Sequence, residues 1–76
     1  MTYNVTITVR RDGLPDETYV SLGERDNEYE ACALRNSYVS NLVIQGGIAT
    51  FDKPSAEFVV AMPDGSTEYV HWPVAK

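Results

Sequence analysis

The sequence has little of what small proteins use to reinforce a fold or to carry out chemistry. It contains one cysteine, Cys32, and one histidine, His71, in 76 residues. A single cysteine excludes a disulfide within the chain, and one cysteine with one histidine cannot supply the four ligands of a structural zinc site. A domain of this size buries only about 60 % of the surface that its unfolded chain exposes. We therefore expect a well-packed core, or self-association, to stabilise it.

The chain also lacks long apolar runs. No segment approaches the roughly 20 consecutive apolar residues of a membrane-spanning helix, and residues 1–4 have neither the basic nor the apolar part of a signal peptide. A single unpaired cysteine fits a reducing compartment. We expect a cytoplasmic protein that does not interact with a membrane.

Positive charge is scarce, because six Lys and Arg residues stand against eleven Asp and Glu, for a net charge of −5. The basic residues form no run, so we expect no direct binding of nucleic acid. Residues 12–30 carry seven acids against one arginine, a local charge of −6. Two interpretations stand: these acids cap a helix and aid solubility, or they imitate a row of phosphates.

Motifs with a catalytic or ligand-binding mechanism are missing as well. Gly46-Gly47 is not followed by the residues of a phosphate loop, and no D-x-D-x-D-G calcium loop occurs. Cys32 and His71 are a nucleophile and a base in principle, but Cys32 falls on an apolar helix face, which favours a core role. So small a domain also leaves little room for a pocket of about 300 Å³. We predict no enzymatic activity, no catalytic residues, no metal and no cofactor.

What the sequence does contain is one long helical pattern, from Asp26 to Leu42. Its apolar positions form a single arc, made of Ala31, Cys32, Leu34, Tyr38, Val39 and Leu42. Asp26 or Asn27 is the predicted N-cap, and Gly46-Gly47 marks the end. Arg35 is expected at the edge of the arc with its stem packed.

The rest of the chain has the pattern of strands joined by turns. Residues 3–10 alternate apolar and polar, which is typical of a half-buried strand. Further strands are predicted at 17–22, 48–51, 56–62 and 67–72, with turns at 12–16, 52–55 and 63–66. The sequence thus predicts an α+β fold of one domain, residues 1–76. It has two layers, with one helix on one face of an antiparallel sheet of four to five strands, in the order ββαβββ.

One helix covers only one face of such a sheet, so aromatic side chains are expected on the other. They are either scattered exposed hydrophobes, which are normal, or a binding patch, since tyrosine and tryptophan are enriched at interfaces. Taking the aromatics together with the acids, the predicted partner-binding residues are Asp16, Glu17, Tyr19, Glu28, Glu30, Tyr69 and Trp72.

These features favour a small acidic protein-binding module or inhibitor that occupies a basic surface of a partner protein. As a class, compact acidic one-domain proteins without catalytic residues resemble phage-encoded inhibitors of host defence, such as anti-CRISPR and anti-restriction proteins. The first alternative is a structural subunit that self-associates through its sheet edges, for example as a homodimer. A small enzyme or ligand-binding domain is the second alternative.

Overall fold

The computed structural model describes residues 1–14 and 16–75, and in these residues one helix packs against an antiparallel sheet of six strands. The strands are β1 Tyr3–Arg11, β2 Glu17–Arg25, β3 Ile48–Asp52, β4 Glu57–Ala61, β5 Ser66–Val70 and β6 Val74–Ala75, and the helix α1 is Glu28–Ile44. The predicted α+β class and the order ββαβββ are confirmed. The sixth strand was not predicted, because two residues are too few to display an alternation.

The strand order in the sheet is β2-β1-β5-β4-β3, and β6 pairs with the start of β1. The hairpin β1–β2 and the meander β3–β4–β5 are joined by the pairing of β1 with β5, so Ile7 lies between Val20 on one side and Val70 on the other. Strands β1, β5 and β4 are therefore central, and β2 and β3 form the two edges.

Turn chemistry explains the hairpin between β4 and β5. Gly65 adopts a φ of 89°, which a glycine reaches without steric cost. The Asp64 carboxylate accepts hydrogen bonds from the backbone N–H and the hydroxyl of Ser66, at 2.9 and 2.6 Å. These bonds hold the pKa of the Asp64 carboxyl below its ordinary value. In the first hairpin, Pro15 of the predicted turn lies outside the described residues.

The helix begins and ends two residues later than predicted, and its caps explain both limits. Asn27 is the N-cap, and its side-chain oxygen accepts a hydrogen bond of 2.8 Å from the backbone N–H of Glu30. At the other end, the N–H of Gly46 bonds to the carbonyl of Val43, and that of Gly47 to the carbonyl of Leu42. This pair of bonds, with Gly46 at a φ of 98°, is the Schellman motif that ends helices at glycine.

The core lies between α1 and the inner face of the sheet. Its buried cluster consists of Ile7, Val39, Leu42, Val60 and Val70. Gly47 lets the chain pass close to this cluster, because a Cβ at that position would approach the Leu42 carbonyl oxygen and the Val60 side chain to 2.8 Å. Cys32, expected in the core, is only half-buried.

Arg35 is the main departure from the predicted helix face. It was expected at the edge of the apolar arc, yet it is buried, with 7 % of its surface exposed. Its guanidinium carbon lies 5.0 Å from the ring centre of Phe58 and 4.7 Å from that of Trp72. Two aromatic faces therefore take the place of solvent around the charge, which is why a cation is tolerated at a core position.

Candidate functional site on the open sheet face

The sheet face that points away from α1, called the open face below, carries alternate residues of every long strand. Because Ile7 lies in the core, its neighbour Thr8 lies on the open face. Thr8 is in register with Tyr19 on β2 and with Tyr69 on β5. One tyrosine therefore lies on either side of Thr8, and the three residues come from three neighbouring strands.

Next to this row, His71 connects side chains from two different strands. Its Nε2 lies 2.7 Å from the Thr8 hydroxyl oxygen, and its Nδ1 lies 3.1 Å from a carboxylate oxygen of Glu57. The Tyr19 ring stacks against the imidazole with ring centres 6.1 Å apart and an angle of 29° between the planes. A carboxylate, an imidazole, a hydroxyl and an aromatic ring thus form one cluster, half-buried apart from the exposed tyrosine.

Two depressions lie on this side of the molecule, and Thr8 and His71 of the cluster line one of them. One has a volume of about 270 Å³ and is lined by Thr8, Arg10, Glu17, Tyr69 and His71. The other, about 300 Å³, extends from Arg10 and Tyr69 toward the first hairpin turn. Both depressions are open to solvent, and open-face residues of β1 and β5 line them.

Three of the predicted partner-binding residues meet on this face. Tyr19 is 68 % exposed although its ring rests on His71. Tyr69 is half-buried and lines both depressions, and Glu17 forms an ion pair of 3.4 Å with Arg10 at the rim. Asp16, directly before β2, is exposed beside them.

The other three lie elsewhere. Glu28 and Glu30 are exposed in the first turn of α1. Strand β2 separates them from Glu17, and its nine residues span about 26 Å. Trp72 packs over Arg35 on the helix side of the sheet. The acids of residues 12–30 therefore form two groups, at opposite ends of β2, rather than one continuous row.

Sequence reasoning missed the residues that complete the cluster. Thr8 and Arg10 were placed on the polar side of β1, but nothing singled them out, and Glu57 was not considered. His71 was weighed only as a partner of Cys32, and the two are separated by the sheet, since Cys32 lies on α1 and His71 on the open face. The alternation in β1 and β5 gave the correct faces, whereas the meeting of Thr8, Glu57 and His71 depends on the strand order.

Within residues 1–14 and 16–75, no group of three or more His, Cys, Asp or Glu side chains is arranged to hold a metal ion. In the same residues, the helix is neither long nor apolar enough to cross a membrane. No protein-family model, curated protein or solved structure matches the chain.

Proposed function

We propose that the chain is a protein-binding module that holds a partner protein on the open face of its sheet, with Tyr19 as the central anchor. The observation that carries this proposal is the setting of Tyr19. It is an aromatic side chain that is mostly exposed and yet stacked against His71, and His71 itself lines the depression of about 270 Å³.

This setting suits an anchor residue for energetic reasons. A tyrosine that a partner buries contributes a large contact area and keeps its hydroxyl available for a hydrogen bond. Because the ring already stacks on His71, less side-chain freedom is lost when a partner covers it. Tyr69 provides a second aromatic surface two strands away, on the other side of Thr8.

The charges around the anchor favour a basic partner surface. Asp16 and Glu17 precede Tyr19 by three and two residues, Glu17 is paired with Arg10 at 3.4 Å, and the whole molecule carries a net charge of −5. Opposite charge on the partner would speed the encounter and would disfavour acidic competitors. The two separated acidic groups do not favour imitation of a phosphate row, so this proposal does not include it.

In this proposal the chain acts in the cytoplasm and inhibits its partner by covering that basic surface. This mode of action is proposed by analogy with the anti-CRISPR and anti-restriction classes that its size and acidity resemble.

Affinity capture from the source cell, or from the host of that cell, tests the proposal. Wild type, Tyr19→Ala and Tyr29→Ala are each immobilised, and the captured proteins are identified and quantified. Tyr29 is the matched control, since it is a tyrosine on the helix with 85 % of its surface exposed. We expect a protein with a basic surface to be retained by wild type and Tyr29→Ala and to be lost with Tyr19→Ala. Equal retention by all three would contradict the proposal.

Self-association is a second candidate, and the β3 edge favours it. All five residues of β3 are exposed, with Ile48 and Phe51 among them, and the strand contains neither lysine nor proline to block pairing. The β2 edge is better protected, because its register with β1 shifts between Val5 and Thr6, and such a bulge twists an edge strand.

Sedimentation over a range of concentrations tests this second candidate. If β3 pairs with the β3 strand of another copy, Ile48→Lys should abolish a concentration-dependent dimer. Ile44→Lys, at an equally exposed isoleucine near the end of the helix, should leave it in place. A wild-type protein that stays monomeric at all concentrations would rule the dimer out.

A further inference from the structure

We propose that Thr8 is an acyl-accepting nucleophile, activated by His71 as a general base and kept in position by Glu57. This activity goes beyond the binding role proposed above, although the residues lie on the same face. Its substrate class is small carboxylic esters with a good leaving group.

The hydrogen bonds fix the direction in which the cluster can move a proton. A carboxylate can only accept, so the Nδ1 atom of neutral His71 must carry its hydrogen toward Glu57, at 3.1 Å. The lone pair of Nε2 then accepts the hydroxyl hydrogen of Thr8, at 2.7 Å. This order of carboxylate, imidazole and hydroxyl is the one by which a weak alcohol nucleophile is activated.

The depression of about 270 Å³ gives an ester access to the Thr8 hydroxyl. Thr8 and His71 both line the depression of about 270 Å³, so the hydroxyl and its base border the same open space. Tyr69 contributes an aromatic wall to that space. Arg10 lines it as well, paired with Glu17 at 3.4 Å, and its guanidinium brings a positive charge that stabilises negative charge developing on a carbonyl oxygen.

The reaction balances without any other reagent. As the Thr8 Oγ–carbon bond forms, the hydroxyl proton moves to His71 Nε2 and the carbonyl oxygen becomes negative. Collapse of this intermediate breaks the bond to the leaving alkoxide or phenoxide, which takes the proton from His71. Thr8 is left as an ester, and a water molecule can later release the carboxylic acid by the same route.

The sheet pairing of β1 also limits the rate of acyl transfer and of turnover. Thr8 pairs with both β2 and β5, so the backbone N–H groups of β1 serve the sheet and cannot form an oxyanion hole. Loss of a single oxyanion-hole donor costs about 10²- to 10³-fold in rate. We therefore expect one acyl group to be transferred to Thr8 in a burst, followed by slow turnover.

The test is a burst experiment with the full chain and p-nitrophenyl acetate. Wild type should release about one equivalent of p-nitrophenolate rapidly, and mass spectrometry of the digested protein should locate one acetyl group on Thr8. Thr8→Ser should keep the burst, and Thr8→Val should remove it. Thr50→Val, at an open-face threonine in register with Val59, is the matched control and should behave as wild type.

Variants of the other two residues test their roles. His71→Ala should slow the burst by about 10²-fold or more, which is the size of a general-base contribution. Glu57→Gln should lower the maximal burst rate, which is reached at saturating ester. The ester concentration that gives half of the maximal rate should stay the same. A merely structural carboxylate would not produce this separation of rate from binding.

An acetyl group found on a residue other than Thr8, or no acetylation at all, would overturn the inference. The site of modification is read from the wild-type protein, so this outcome does not depend on whether the Thr8→Val variant folds. It also leaves the binding proposal intact, since that proposal depends on Tyr19 and does not require the Thr8 hydroxyl.

Discussion

At the scale of single residues, Arg35 carries an unusual combination of burial and incomplete hydrogen bonding. Its Nε and one terminal nitrogen donate to the side-chain oxygen of Asn36, at 3.2 and 3.0 Å. The other terminal nitrogen, Nη1, is buried without a hydrogen-bond partner in the described part of the chain. The rings of Phe58 and Trp72 therefore compensate only in part for the hydration that the guanidinium loses.

Substitutions at Arg35 separate the contribution of its stem from that of its charge. Arg35→Met keeps most of the buried volume and removes the unpaired donors, so we expect the free energy of unfolding to change by less than about 1 kcal/mol. Arg35→Ala leaves a cavity and should lower it by about 2–4 kcal/mol. Urea denaturation measures both. If methionine is as damaging as alanine, the contacts between guanidinium and rings stabilise the fold more than this account allows.

Tyr38 links stability to high pH. Burial, together with its hydrogen bond to the Glu68 carboxylate, raises the pKa of the Tyr38 hydroxyl well above 10.0. At a pH between 10.0, the ordinary pKa of tyrosine in the unfolded chain, and the raised pKa of the native state, the unfolded chain has released this proton and the native state still holds it. Stability is therefore fully present below about pH 10 and is lost as the pH rises further.

Denaturation midpoints measured from pH 8 to 11 test this linkage. Wild type and the control Tyr29→Phe should lose stability above pH 10, and Tyr38→Phe should lose less over the same interval. Parallel curves for Tyr38→Phe and wild type would show that another group is responsible.

At the scale of elements, the sequence was sufficient where the signal is local. The strand β1, the Asp-Gly turn at 64–65 and the Asn27 cap each follow from neighbouring residues, and each is confirmed. Arg35 shows the limit of such reasoning. Its position on the helical wheel lay at the apolar arc, but its charge argued for the edge, and only the rings of Phe58 and Trp72 make the buried position acceptable.

The helix face gives the clearest stability prediction. Leu42 is buried against Ile7 and Val60, so Leu42→Ala should lower the free energy of unfolding by about 2–5 kcal/mol. Leu34 is only half-buried, so Leu34→Ala should cost less. Ile44→Ala, at an exposed position two residues further along the helix, should change it by less than about 0.5 kcal/mol. Thermal and urea unfolding measure all three free energies. Equal effects of the Leu42 and Ile44 substitutions would show that the buried face of the helix is assigned wrongly.

At the scale of the whole molecule, the strand order decides which residues form a site, and a single sequence does not reveal it. Thr8 lies 49 positions before Glu57 and 63 before His71 in the chain, so no local pattern connects the three residues. Their contact requires β5 to insert between β1 and β4. The same topology divides the predicted binding set, since it brings Glu17, Tyr19 and Tyr69 together and leaves Glu28, Glu30 and Trp72 elsewhere.

This division predicts that the two acidic groups differ in their effect on binding. Asp16→Asn with Glu17→Gln, and Glu28→Gln with Glu30→Gln, remove the same net charge from opposite ends of β2. Because salt screens charges over about 8 Å at physiological ionic strength, the pair beside Tyr19 should affect the encounter more. With a captured partner, the first double variant should associate more slowly, with a flatter dependence on salt, and the second should stay near wild type. Equal slowing by both would point to net charge alone.

The dissociation rate of a complex tests the proposal that the open face, anchored by Tyr19, holds a partner protein. An aromatic anchor buried at an interface is worth about 2 kcal/mol or more, which corresponds to roughly a 30-fold faster dissociation when it is truncated. We predict this increase for Tyr19→Ala at low and high salt alike, with the association rate nearly unchanged, and a wild-type dissociation rate for Tyr29→Ala. Dissociation of Tyr19→Ala at the wild-type rate, or an equal acceleration by Tyr29→Ala, would contradict the account.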